Sequence, residues 1–490
     1  MRTRKAIITM MALSGVVVLA TLCNPKPTPD VTVNTITPVE LPIVVPGFNF
    51  PEDSNTIYSW LNNKNFPGNY DSASVYNHVW GIWAGLTAQS GQVYQGDSLR
   101  TFETWLGITD IRNLIINDSS GCAGAATKTM RAQLHFPHQF EHGFHTTGNI
   151  MAKGAMSREK IDSAEEFWVT VAYDPNAACY ATTNKILKQS VLDSFKVQGA
   201  IGSVPKFPQK AITVKPTYFV GKEKGGLVKI PVWTGPRDSA QGYGFNIWPK
   251  VVYVDVKNTQ KPGKKVIPVD TTATDIESAK VNLNDFIHFK LDSAMAAYMN
   301  ASDSTEGVNN AEAGNIAILV AMHVTTKEIS NWTWQTFYWA PDPDTPYSPS
   351  SFLARKLRPL QITGAAAHYA AVSAYTMVLP NQPINGGTNT GVKPMIGYNP
   401  YLEAGFAGLG PVGDPNVDFN IRSVLIPGKP LGIQTNCMTC HSLATEDGLI
   451  GYSSDQYISM DSSFFKGRVQ LDFAWSIQGN KIRDKDLKKK

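Results

Sequence analysis

Residues 437–441 read Cys-Met-Thr-Cys-His, and no other short stretch of the chain restricts its chemistry as tightly. Two thiols three positions apart share one face of a helical turn, where they can add to the two vinyl groups of protohaem. The imidazole of His441 then stands beside them as a proximal axial ligand for iron. A zinc site would require a second ligand pair, and the chain has no second C-x-x-C. A thioredoxin-like redox pair needs no histidine after its cysteines and usually sits in a βαβ setting. The expected cofactor is one covalent haem c, bound through Cys437 and Cys440 and ligated by His441.

Attachment of c-type haem takes place outside the cytoplasm, and the amino terminus agrees with export. Arg2, Arg4 and Lys5 precede an apolar run that ends near residue 23, followed by the polar, Pro-rich Asn-Pro-Lys-Pro-Thr-Pro-Asp, the pattern of a secretory leader. The run is too short and too asymmetrically flanked for a membrane span. Cys23 stands where a lipoprotein would carry its lipidated cysteine, with residues 24–49 as a Pro-rich tether. Leu22 occupies the position where a lipoprotein signal has a small residue, so an ordinary cleaved leader fits as well. The expected location is the periplasm or cell envelope, with any membrane anchoring confined to the N-terminus. Of the five cysteines, Cys122 and Cys179 remain as an even pair in an exported chain, which predicts a disulfide; two unpaired buried thiols are the alternative. A bridge closing a loop of that length would contribute about 4 kcal/mol.

The chain carries 44 Lys and Arg against 40 Asp and Glu, with charged residues at 17%. So small a net charge gives no support for a nucleic-acid partner, and the basic tail Lys-Ile-Arg-Asp-Lys-Asp-Leu-Lys-Lys-Lys reads as a solvated end. Residues 50–205 read as mixed α/β, with an apolar helix over Asn77–Ala88 and amphipathic segments at Glu165–Tyr173 and Asn184–Phe195. Residues 206–345 are β-rich: short β-branched or aromatic runs separated by Gly, Pro, Asn and Asp, interrupted by a helix at Asp292–Asn300. Residues 346–490 form a cytochrome c-like haem-binding region, with a helix candidate from Ser351, a long Gly- and Pro-rich loop to about residue 430, and the haem helix. A loop of that length wraps over something, and the haem is the evident object. The fold class is α+β, with a sandwich-like β-rich centre and a mostly helical and loop C-terminal segment.

The second axial ligand separates an electron carrier from a haem enzyme. Met460 is the only Met or His beyond His441, although its spacing is short for an ordinary cytochrome c. His368, Met377 and Met395 lie upstream and could fold back; an iron open on that side is the third reading. The densest histidine cluster is elsewhere: His135, His138, His142 and His145 share one face if the segment is helical, with Glu141 nearby, and could bind a transition metal. Pro137 and Gly143 work against that helix, and a packed aromatic loop is the competing reading. His323 sits alone in a strand pattern and reads as an ordinary core or edge histidine.

Several longer segments resemble a known family. They are Phe102–Trp105 (FETW), Phe207–Pro216 (FPQKAITVKP), Ala321–Phe337 (AMHVTTKEISNWTWQTF), Asn399–Phe406 (NPYLEAGF), Asn436–Ala444 (NCMTCHSLA) and Leu471–Ile477 (LDFAWSI). In that order they resemble a family of exported bacterial cytochrome c family proteins of uncharacterised role, with a single C-terminal haem motif. The resemblance implies haem attachment at Cys437 and Cys440 and ligation by His441, and it supplies no substrate. Family members continue after the final Phe of the long segment with an acidic residue and a His. This chain has Tyr-Trp-Ala-Pro-Asp-Pro, so no role for that His carries over. If the β region and haem segment belong together, Trp332–Trp339 either packs on the haem and excludes water or is plain sheet, with Trp332 and Trp334 on one strand face and Thr333 on the other.

The leading expectation is an exported monohaem cytochrome that passes single electrons to a redox partner protein. The alternatives are a haem-dependent oxidoreductase with an open iron, or a surface binding module in which haem is structural.

Overall fold

A computed structural model describes residues 31–61, 70–117, 122, 126–135, 166–235, 248–263, 265–302, 311–375, 399–403, 438, 441–447 and 460–487. It is a mixed α+β architecture with several sheets. Its centre is an eight-stranded antiparallel sheet built around Ile316–Thr326. Next to that strand, on one side, lie Thr333–Trp339 and then Tyr369–Ser373; on the other lie Ile212–Gly221, Ala172–Tyr173 and Leu106–Gly107. The sheet is completed by His288–Lys290 and Glu166–Val169, which pair with the far ends of the two longest strands. A second sheet of four strands packs Val228, Ile230, Val252 and Val254 into the same core.

The long strands form where β-branched and aromatic runs predict them, and both faces are covered. The Thr333–Trp339 strand is buried at every position. One face is covered by the helix Ser72–Thr87, which is capped by Asp71 accepting from the Ala73 and Ser74 amides. Trp83 of this helix stacks on Phe337 at 4.3 Å, and its indole donates to Ala366 O at 3.0 Å. Gly81 and Gly85 let the segment 41–48 cross the opposite side of the helix. A Cβ at Gly81 would lie 2.2 Å from the Phe48 ring, and one at Gly85 would lie 2.7 Å from Pro42 O. The other sheet face, at the Trp334 end, is covered by the C-terminal segment.

Several expectations change. The sheet takes strands from 106–173 and from 369–373 as well as from the predicted β region, so the divisions at 206 and 346 do not separate structural units. The supposed tether is part of the fold from residue 31: Val31–Val33 pairs with Gln92–Tyr94, and Ile36 bridges Lys128. The helix expected from Ser351 is only Phe352–Lys356. Pro359 removes a backbone donor and Gly364 adopts φ +58°, after which Tyr369–Ser373 pairs with the tryptophan strand. The small residues Ala370 and Ala371 lie opposite Tyr338 and Phe337, so packing against a large neighbour overrides alanine's helical preference. The segment Glu165–Tyr173 contributes strands, and Asn184–Phe195 holds only the short helix Gln189–Ser194.

Candidate functional site

Lys327, two residues after Thr325 of the central strand, is where the site begins. Its ammonium is buried and donates to Asp472 Oδ1 at 2.6 Å and to Ser330 O at 2.8 Å. Burial lowers its pKa, and the Asp472 carboxylate opposes that shift. Asp472 is tied further: its Oδ2 accepts from Phe207 N at 2.9 Å, and its carbonyl accepts from Trp332 Nε1 at 3.0 Å. These bonds hold an unusual backbone. Trp332, Asp472 and Phe473 adopt φ of 60°, 46° and 71°, left-handed values that are uncommon for residues with a Cβ and costly for bulky ones.

The consequence is the direction of one carbonyl. Phe473 O accepts a hydrogen bond from His441 Nδ1 at 2.8 Å. A carbonyl can only accept, so Nδ1 carries the proton and Nε2 presents its lone pair. His441 sits on a helical turn closed by Ser442 N to Met438 O at 2.9 Å. Its ring rests against Trp334, with centroids 4.4 Å apart and planes tilted by 47°. Met438, Leu443 and Phe473 complete an apolar surround. Burial pushes the His441 imidazole down to about 3; the bond to Phe473 O opposes this, and the electrostatic influence of the nearby His323 and Lys215 adds to it. The ring is therefore neutral at ordinary pH.

His323 lies on the same sheet face. It is opposite Thr336 on one neighbouring strand and Lys215 on the other, and Thr325 is opposite Trp334. The Thr336 hydroxyl gives its single proton to Met322 O at 3.1 Å and accepts Asn399 Nδ2–H at 2.7 Å. Asn399 is oriented by donating to Phe337 O at 2.9 Å and accepting from Tyr401 N at 3.1 Å. The 2.9 Å contact of His323 Nδ1 with the same hydroxyl is thus a donation from the imidazole. Five of the segments quoted above meet here: Phe207 and Lys215, His323 to Thr336, Asn399, His441, and Asp472 with Phe473.

Cys437 and Cys440 lie outside the described residues, as do Cys23, His138, His142, His145, Met377 and Met395. His135 is described, and its backbone pairs with Val169 in an antiparallel bridge. At that position the histidine segment is extended, contrary to the helix that would align four histidines. Among the described residues no group of three or more His, Cys, Asp or Glu could hold a metal. Cys122 and Cys179 are joined as a disulfide. Trp334 packs on the haem-motif histidine, whereas Trp332 precedes the strand instead of sharing its face.

His368 is removed as an upstream ligand. Its Nε2 lies 3.3 Å from Asp285 Oδ1, and its carbonyl accepts from Ala340 N at the far end of the tryptophan strand. Six residues of strand separate Ala340 from Trp334, about 20 Å at 3.3 Å per residue. Met460 is half-buried against the apolar cluster that includes Trp334 and Met438, and its carbonyl accepts from Gln470 Nε2 at 2.6 Å. Sequence reasoning passed over His323 and Asn399. The signal that could have flagged them was their position inside the two resembling segments.

Comparison of the chain with protein-family models, with curated proteins and with solved structures finds no match. Among the described residues no helix is long and apolar enough to cross a membrane.

Proposed function

We propose that this chain is an exported monohaem c-type cytochrome that accepts and passes single electrons. The carrying observation is the bond from His441 Nδ1–H to the Phe473 carbonyl. It fixes the tautomer and ring orientation that an iron-ligating histidine needs, and makes Nε2 a better donor. The residues present fit the group in two further respects: His441 is neutral, as a ligand must be, and it is set among apolar side chains. Haem, attached through Cys437 and Cys440, supplies an iron that takes up and releases one electron. The protein's own part is to hold His441 rigidly and to keep water from it. Lys327 and Asp472 anchor the carbonyl that orients the ring, and Trp334 lies against its face. A redox partner protein, reached after export, would complete the circuit.

The test is production of the full chain in a host with c-type haem maturation. Covalent haem, retained through acidic acetone extraction and lost in the Cys440→Ala variant, together with a reversible one-electron titration, is expected. A colourless protein would overturn the reading, and catalytic turnover at an open iron would replace the carrier with the enzyme.

A further inference from the structure

One of the resembling segments, Phe102–Trp105, takes no part in the site around His441. Its Glu103 holds two arginines instead. Glu103 Oε1 accepts from Arg131 Nε at 3.0 Å and Nη2 at 2.7 Å, and Oε2 accepts from the backbone N–H of Arg100 at 2.8 Å. Arg131 is neutralised, because its Nη1 also donates to Asp97 Oδ2 at 2.9 Å. Arg100 differs. It is half-buried, its Nη1 donates to Thr87 O at 2.8 Å, and among the described residues its guanidinium makes no ion pair.

Both arginines line a cavity of about 230 Å³, together with Asp97, Asn284, Phe286 and His288. Ala365 closes another wall; it belongs to the turn Gly364–His368, which meets the tryptophan strand at the end away from His441. At about 30 Å³ per water, the space takes about seven waters or one small polar molecule. Its walls are fixed before any ligand arrives. Phe286 is stacked on Trp339 at 4.2 Å, and Arg131 lies 4.6 Å from the Phe289 ring centroid. His288 Nδ1 donates to Phe286 O at 2.8 Å, so its Nε2 carries the lone pair. Burial lowers the pKa of this imidazole; the bond to Phe286 O opposes the shift, Arg131 and Arg100 add to it, and Asp97 opposes it. The ring is neutral, with three charges close by.

These groups divide by hydrogen-bonding role. Arg100 caps the end of the helix Ser72–Thr87 with one nitrogen and keeps the rest of its fork for a carboxylate, which it can hold through two parallel N–H···O bonds. The Asp97 carboxylate and His288 Nε2 are acceptors. We infer that the cavity binds a small carboxylate with a hydrogen-bond donor on its α-carbon, an amino or hydroxy acid, whose carboxylate pairs with Arg100 and whose donor is shared by Asp97 and His288. An anion without that donor would meet the Asp97 charge directly. The site does not depend on the haem reading.

Isothermal titration of the full chain with L-alanine, L-lactate, acetate and L-alanine methyl ester tests this. Alanine, lactate or both should bind saturably at one site. Acetate, which lacks the donor, should bind about tenfold more weakly, and the ester, which lacks the carboxylate, should not bind. A preference for alanine that disappears in Asp97→Asn identifies the donor as an ammonium; a preference for lactate identifies it as a hydroxyl. Arg100→Lys keeps a positive charge at the helix end but loses the fork, and should weaken binding about tenfold with far-UV circular dichroism unchanged. His288→Phe leaves the anchors of Arg100 intact and should weaken it by a similar factor. No saturable binding of either acid, acetate binding as tightly as both, or full affinity in either variant would overturn the site. Binding that shifts the haem absorption and survives Arg100→Lys would place the acid at the iron and overturn it as well.

Discussion

The indole of Trp334 covers one side of the His441 imidazole at 4.4 Å, while the Phe473 carbonyl holds that ring's Nδ1–H at 2.8 Å. One contact is dispersive and the other polar, and together they leave the ring little freedom to rotate. Trp334 is itself fixed, because its Nε1 donates to Asn331 O at 2.9 Å. The sheet thus reaches the C-terminal helical turn through a well-anchored side chain.

Truncating that side chain should affect stability and potential together. Trp334→Ala is expected to cost about 3–5 kcal/mol in urea denaturation, with Trp334→Phe losing less because part of the ring contact survives. On the cytochrome reading, the potential of the Ala variant should fall as water gains access to the site. A stability loss with an unmoved potential would mean that Trp334 is only a core residue.

The Lys327–Asp472 pair should behave as a clamp. Both side chains are nearly enclosed, at 5% and 8% exposure, so removing one leaves the other charged and without its counter-ion. Lys327→Met alone should cost about 3–5 kcal/mol, and the Lys327→Met, Asp472→Asn double variant less than the sum of the two single changes. A double-mutant cycle by chemical denaturation measures the coupling. Additive losses would show that the pair is not a unit.

Asp174 predicts a pH dependence. It caps the helix Pro175–Thr183 and accepts from Ala177 N at 2.8 Å and Ile212 N at 2.9 Å. Burial nevertheless dominates and pushes its carboxyl up to about 6. A folded value above the unfolded one means that the folded state binds the proton more tightly. The associated stability is complete below the unfolded value, near 4, and is lost as pH rises through 6, a change of about 3 kcal/mol. The stability of wild type minus that of Asp174→Asn should therefore fall by roughly that amount between pH 4 and pH 7. Taking the difference cancels groups of opposite sign, such as His441. A flat difference would show that the hydrogen bonds offset burial, and a rising one that they outweigh it.

Much of this fold could be read from residue patterns, because the long strands are β-branched and aromatic throughout. Tyr369–Ser373 could not: Ala-Ala-Val-Ser after an Ala-rich run looks helical, and only its neighbour across the sheet makes it a strand. The site was legible at His441, where a motif encodes the chemistry locally. His323 was not, since its bond to Thr336 and its place near Trp334 come from strand register. His368 misled for the complementary reason. It is close to the tryptophan strand in sequence order but pairs with its far end.

The opposite side of the sheet holds a second polar network that the cytochrome reading does not use. His78 Nε2 lies 3.0 Å from Glu328 Oε1, and its Nδ1 lies 2.7 Å from the Tyr375 hydroxyl. Glu328 also accepts from Glu52 N at 2.6 Å and from the Thr326 hydroxyl. Burial holds the Tyr375 phenol well above its ordinary pKa, and the Glu328 charge adds to the shift. The phenol therefore keeps its proton and donates it to Nδ1, so His78 must donate from Nε2 to Glu328. Tyr375→Phe removes a donor and leaves a buried ring nitrogen unsatisfied, which should cost about 1–3 kcal/mol. Glu328→Ala strands His78, Glu52 N and Thr326 at once and should cost about 3–5 kcal/mol. The double variant should lose less than the sum, because the first substitution already frees the shared imidazole. Denaturant midpoints of the four proteins decide this. Additive losses would mean that the three side chains are separate contacts and not one network.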